Sequence, residues 1–121
     1  NILSNAIDAL EESMFDENKN LKKNSSPHIT ISTQMVGSDR LQIAIADNGG
    51  GIPEAIKQRL FDPFFTTKPI GKGTGMGLSI SYQIVTEKHQ GRLDCISSPG
   101  KGTQFIITIP TYQPVAASWW M

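Results

Sequence analysis

An alternating apolar run ends in a carboxylate and breaks into three glycines, Asp47-Asn48-Gly49-Gly50-Gly51, with Ile52-Pro53 following. Leu41, Ile43 and Ile45 alternate with Gln42, Ala44 and Ala46, the period-two pattern of a half-buried strand. Asp47 falls in phase with the apolar set and is expected to point inward. Such a carboxylate is costly unless hydrogen-bonded, and backbone without Cβ atoms lets a partner come close. The combination reads as a pocket in which Asp47 accepts protons from a ligand's N–H groups; the alternative is a surface turn carrying an acid. A second segment, Lys68-Pro69-Ile70-Gly71-Lys72-Gly73-Thr74-Gly75-Met76-Gly77-Leu78, has glycine at every second position from 71 to 77. Backbone of this kind can turn its N–H groups onto an anion, and a helix start beyond it adds partial positive charge. Lys68 and Lys72, with no acid between Pro63 and Gly77, make the local field positive. Polyphosphate is the natural guest, with a glycine hinge as the alternative. The loop follows no strand and lacks the Lys-Ser or Lys-Thr ending of a P-loop, so neither common dinucleotide nor P-loop signature applies. Third, Asn1, Asn5, Asp8 and Glu12 share a helical stripe opposite Leu3, Ile7 and Leu10. Asn amide oxygens are hard ligands that suit Mg²⁺ when phosphates and waters complete its shell. A solvated helix face is the alternative there.

Positioning these groups requires particular elements. Leu3, Ile7, Leu10 and Met14 predict a first helix, its apolar face widened by Ile2, Ala6 and Ala9. No initiator Met or cap precedes Asn1, so the expectation is a helix cut from a longer chain. Residues 16–27 read as a polar loop. Residues 28–35, with Ile29, Ile31 and Thr33 alternating, pair through Gly37-Ser38-Asp39 with the strand ending at Asp47. Pro53 opens a short helix with Ile56 and Leu60 toward the core. Phe61, Phe64 and Phe65 cluster three of the five phenylalanines just before a flexible stretch over residues 66–77. Leu78, Tyr82 and Val85 place a helix over residues 78–88, stopped by Gly91. A second hairpin runs from Leu93 and Cys95 around residues 98–102 to Phe105, Ile107 and Ile109. This order predicts an α+β fold: a two-layer α/β sandwich, helices on one face of a mixed, mostly antiparallel sheet.

Composition narrows the class. A chain of 121 residues is one domain, large enough for a core. Eleven basic residues balance eleven acidic ones, so no global field favours nucleic acid or direct membrane contact. Cys95 is the single cysteine, which excludes an intrachain disulfide and suits a reducing compartment. There is no apolar run of bilayer-spanning length and no signal peptide, so a cytoplasmic location is expected.

Taken in order, Asn-x-x-x-Asn-Ala (residues 1–6), Asp-x-Gly-x-Gly-Ile-Pro (47–53), Phe-x-Pro-Phe-Phe-Thr-Thr-Lys (61–68), Gly-Thr-Gly-Met-Gly-Leu (73–78) and Gly-Thr-x-Phe (102–105) resemble the N, G1, F, G2 and final glycine boxes of one family. These boxes mark the catalytic ATP-binding domain of two-component sensor histidine kinases, within the GHKL superfamily of gyrase, MutL and heat-shock chaperones. The resemblance covers about residues 1–110 and leaves 111–121 as a C-terminal tail. It implies the Bergerat fold, here N-terminally truncated: the family's first strand and the start of its first helix are missing. ATP and Mg²⁺ are the implied cofactors. Asp47 would bind the adenine amino group, with Gly49, Gly51, Ile52 and Thr103 around the base. Asn5 would hold Mg²⁺ with Asn1 as helper, and Asp8 and Ala9 would line the same helix edge. Thr67, Lys68, Gly73, Thr74, Gly75, Met76, Gly77 and Leu78 would face the phosphates, and Phe64 and Phe65 would anchor a lid over residues 66–76.

The resemblance also implies partners: a phosphoacceptor His on a separate dimerisation domain, and the receiver domain of a response regulator. Position 8 is Asp where many relatives carry a basic residue. The superfamily's ATPases resemble one another in placing Glu four residues before the metal Asn, as the base that activates water. Asn1 stands there instead, so no residue is assigned a catalytic role and kinase chemistry is favoured over hydrolysis. The alternative is a GHKL-type ATPase or a nucleotide-sensing module without kinase activity. His28, at a strand start, and His89, at a helix end, lack the acidic neighbour of the family's phosphoacceptors, so self-phosphorylation is not expected.

Overall fold

The computed structural model describes residues 1–14, 26–65 and 77–112. Helix α1 spans Ile2–Met14, and strands β1 (Ile29–Val36) and β2 (Arg40–Asp47) form the first hairpin. A short helix α2 (Glu54–Lys57) precedes α3 (Gly77–Gln83), which continues into a π-helical turn over Ile84–Lys88. Strands β3 (Arg92–Ser97) and β4 (Thr103–Pro110) form the second hairpin. The sheet order is β1-β2-β4-β3, with helices packed on one face. The expected two-layer sandwich is therefore present. Every ladder among the described residues is antiparallel, so the mixed sheet expected from the sequence is an antiparallel one over this range.

Register explains where the core sits, because directly paired residues share a face of the sheet. Ile45, Phe105 and Cys95 form one row across three strands, and Ile43, Ile107 and Leu93 the next. Leu41 and Ile109 close the series toward the first hairpin's turn. Phe105 and Leu93 are buried in a cluster with Ile2 of α1 and Val85 of the π-helical turn. Ile45, Leu60, Phe61, Leu78, Cys95, Ile107 and Ile109 pack around it. At the edge, Ile31 and Met35 of β1 are in phase with this face yet remain more than half exposed.

Helix α1 is turned relative to the sequence expectation. Its buried residues are Ile2, Ala6 and Leu10, whereas Leu3 and Ile7 are 44% and 49% exposed. Its apolar face is wider than the surface it meets, and the strip that carries the small Ala6 comes closest to the sheet. That rotation brings Asn5, Asp8 and Ala9 into half-buried positions beside the core strip, rather than opposite it.

The last helix departs from its expected face as well. Leu78 and Val85 pack inward, but Tyr82 stays 40% exposed while Ser79 is buried. Tyr82 and Ser79 both precede the π-helical turn, which widens only the end of the helix around Val85. Tyr82 instead stacks on Phe61, ring centroids 4.9 Å apart. Among the described residues no helix is long and apolar enough to cross a membrane.

Candidate functional site

Below the apolar rows, the same face of the sheet ends in a polar one. Ile29, Asp47, Thr103 and Ser97 are successive partners across all four strands. Asp47 turns the chain after β2 by accepting a hydrogen bond from Gly49 N–H on Oδ1 at 2.9 Å. This leaves its other oxygen to accept elsewhere. Asn48 does different work: its Oδ1 accepts from His28 N–H at 2.9 Å and its Nδ2 donates to Ser26 O at 2.8 Å. An amide side chain thus takes the place of a backbone partner where β1 begins.

The glycine segment after Asp47 is locked to the second hairpin. Gly100 N–H donates to Gly50 O at 2.8 Å, and Ile52 N–H donates to Ser97 Oγ, also at 2.8 Å. Gly51 has φ of 79°, and a Cβ there would run into the Ser98 carbonyl. The space on the Cβ side of Gly51 belongs to the 98–99 backbone. Gly102 has φ of 76° and lies against the carbonyl of Asp47. Both positions need glycine for the left-handed backbone and for the contact. Lys57 of α2 completes the lock, donating to Ser97 O at 2.9 Å while pairing with Glu54 at 2.8 Å.

Helix α1 supplies the opposite wall. A Cβ on Gly49 would lie 3.2 Å from Ala9 O, so α1 crosses the glycine segment at Ala9. At its other end Asn1 Nδ2 donates to Gly77 O at 3.2 Å. Asn1, Asn5 and Ala9 are four residues apart on one helix edge, so half-buried Asn5 stands midway between Gly77 and Gly49. The structure thus brings together Asp47, Gly49, Thr103, the Asn1–Asn5–Ala9 edge and the start of α3. Ile52 joins them through Ser97, and Leu78 serves the core.

The aromatic segment divides its roles. Phe65 is half-buried with the Arg59 guanidinium 4.5 Å from its ring centroid, while Phe64 is 74% exposed with φ of 67°. Phe61, not among the candidates, is the ring that ties this segment to α3. Thr67, Lys68, Gly73, Thr74, Gly75 and Met76, and with them the expected lid over residues 66–76, lie outside the described residues.

Ser97, Lys57 and Asn48 were not among the candidates either. A signal for Ser97 exists in the alternation Leu93, Cys95, Ser97, which carries it inward at its strand's end as Asp47 is carried at the end of β2. Lys57 has a local partner in Glu54, but the partners that bring Lys57 and Asn48 to the site, Ser97 and the Ser26–His28 segment, are remote in sequence. Cys95 sits one row above this site, and burial raises its thiol from 9.0 to about 11. Lys57 opposes that shift and Asp47 adds to it. At neutral pH it is a protonated packing group, not a nucleophile.

Comparison with known proteins identifies the family and the fold. Residues 1–113 match the sequence family described as histidine kinase-, DNA gyrase B-, and HSP90-like ATPase. Sporulation kinase E of Bacillus subtilis (strain 168) is 37% identical over 113 residues, covering 93% of this chain and 13% of that protein. The signal transduction histidine-protein kinase AtoS of Escherichia coli (strain K12) is 36% identical over 110 residues, covering 91% of this chain and 16% of that one. The chain therefore spans only a small part of the length of these relatives. Among solved structures, the catalytic domain of histidine kinase ThkA, in a nucleotide-free form, superposes with a TM-score of 0.62 at 28% identity, covering 93% of this chain and 68% of that one.

Proposed function

The chain belongs to the histidine kinase-, DNA gyrase B-, and HSP90-like ATPase family, and from that premise we propose that it is the ATP-binding part of a two-component sensor kinase. The observation that carries the proposal is Asp47, held by Gly49 N–H and paired in register with buried Thr103. A carboxylate that spends one oxygen on its own turn keeps the other for a ligand amine, and adenine offers one. The base lies against Asp47, Thr103 and the Gly49-to-Ile52 segment. The phosphates run along the Asn1–Asn5 edge toward the start of α3.

Asn5, half-buried and midway along that edge, is the residue placed to reach a metal on the phosphates, with the remaining oxygen of Asn1 as a helper. Among the described residues no group of three or more His, Cys, Asp or Glu side chains could hold a metal ion. Mg²⁺ at Asn5 would accordingly draw most of its ligands from phosphate and water, as this hard ion prefers. When bound, Mg²⁺ neutralises charge on the phosphates. The chain's own part is positioning and exclusion, which is most of what phosphoryl transfer asks of a protein. The Asn1 side chain has no basicity near neutral pH, so it supplies no base for water activation. The γ-phosphoryl group goes to a His on a separate dimerisation domain and later to an Asp on a receiver domain. His28, exposed just before β1, and His89, just after the π-helical turn, are not the acceptors.

The test follows three fates of Mg-ATP: phosphate released, phosphate transferred to a separate helical His substrate, or binding with neither. Transfer in trans, with no acid-labile phosphate on this chain alone, is expected. Release to water would make it a hydrolase, and binding alone a sensing module. Asn5→Ala should weaken Mg-ATP far more than metal-free nucleotide; equal losses would return Asn5 to the helix surface.

A further inference from the structure

Ser97 Oγ stands at a three-way junction. Ile52 N–H reaches it at 2.8 Å, Gly102 O lies 2.9 Å away, and Thr103 Oγ1 lies 2.9 Å away. A serine hydroxyl has one proton and two lone pairs. The Gly102 carbonyl only accepts and the Ile52 amide only donates, so the junction closes in one way. Ser97 gives its proton to Gly102 O, and its lone pairs take Ile52 N–H and the Thr103 hydroxyl proton. The opposite orientation, Ser97 donating to Thr103, strips the carbonyl of buried Gly102 of this bond, which burial makes costly.

We infer that Ser97 is a specificity-determining positioning residue: it holds the Thr103 hydroxyl as a hydrogen-bond acceptor beside the Asp47 carboxylate. The inference rests on the nucleotide reading of this site. Thr103 is 6% exposed and is the cross-strand partner of Asp47, so the two side chains leave the sheet together on its helix-facing side. With its proton fixed on Ser97, Thr103 shows only lone pairs to a ligand. Two adjacent acceptors match the two protons of a 6-aminopurine. They oppose the carbonyl of a 6-oxopurine, because a hydroxyl locked in this direction cannot turn round to donate.

The experiment is calorimetric titration of ADP and IDP, which differ at that position, into the chain and its variants. Ser97→Ala frees the Thr103 hydroxyl to rotate, so the ADP-over-IDP preference should fall about tenfold, the worth of one hydrogen bond. In a Thr103→Val background the same Ser97 change should leave the ratio alone, because its agent is gone. A purely structural role for Ser97 would lower both affinities together and keep the ratio, which overturns the inference while leaving the nucleotide reading intact. Should Ser97→Ala fail to fold, Thr103→Val decides: it should weaken ADP about tenfold and IDP little, and equal losses overturn the claim. If the unaltered chain binds neither nucleotide, the reading of the site falls and the inference with it.

Discussion

The sheet-end row of Asp47, Thr103 and Ser97 and the Asn1–Asn5 edge of α1 face one another across the proposed site, and they are held by different forces. The row is fixed by ladder pairing and by backbone that meets backbone. Gly51 lies against Ser98, Gly102 against Asp47, and Gly100 N–H bonds Gly50 O. The helix edge is fixed by burial of Ile2, Ala6 and Leu10, together with the tie of Asn1 to Gly77. Backbone contacts tolerate almost no displacement, whereas a packed helix face can slide by fractions of an ångström at modest cost. On the proposed reading, the rigid wall would meet the flat base, and the adjustable wall would meet the phosphates and a metal.

The contrast breaks most visibly at the glycines. Gly102→Ala combines a left-handed backbone, about 1–2 kcal/mol for an L-residue, with a clash against the Asp47 carbonyl that overpacking studies put at about 1–3 kcal/mol. A loss of about 3 kcal/mol or more in urea unfolding is expected, together with loss of nucleotide binding. Gly50→Ala, where an added Cβ meets nothing within 4 Å, serves as the matched control and should stay within about 0.5 kcal/mol. Similar losses for both would mean that the contact does not hold the row.

Helix α1 offers the next largest effect. Leu10→Ala should cost about 2–4 kcal/mol, while Ile7→Ser, at a side chain 49% exposed, should cost far less. A loss at Ile7 as large as that at Leu10 would restore the helix face expected from periodicity, which carries both residues, and displace Asn5 from the site.

Asp47→Ala removes an acceptor and with it the bond from Gly49 N–H, but leaves the backbone contacts of Gly51, Gly100 and Gly102 in place. Loss of a hydrogen bond to a charged group is worth about 1.5–3 kcal/mol, or roughly 10- to 150-fold in ATP affinity. Retention of native affinity in calorimetry would sink the adenine assignment.

The smallest effect belongs to Cys95. Its thiol is raised in the folded state, so burial favours the protonated form. The associated stability is fully present below 9.0 and is lost as pH rises toward about 11. The stability advantage of the native chain over Cys95→Ala should therefore shrink across that interval. A constant difference would show that the group behind Thr103 and Asp47 is wetter than the structure has it.

Much of this molecule is determined by local sequence. Alternation in residues 41–47 and 93–109 set both hairpins, and Asp47 fell in phase with the inward residues because side-chain period in a strand is fixed at two. The candidate residues of α1 were legible by type, yet the face they occupy was not. Leu3, Ile7 and Leu10 make as good an apolar stripe as Ile2, Ala6 and Leu10, and only the surface across from a helix decides between overlapping stripes. Gly51 and Gly102 announced tight backbone in the sequence, but the partner of each, Ser98 and Asp47, lies far along the chain. Alternation carries Ser97 inward, but the junction at its hydroxyl is decided by tertiary structure. It joins three segments through one hydroxyl, and the direction of a hydroxyl proton depends on which donors and acceptors folding brings around it.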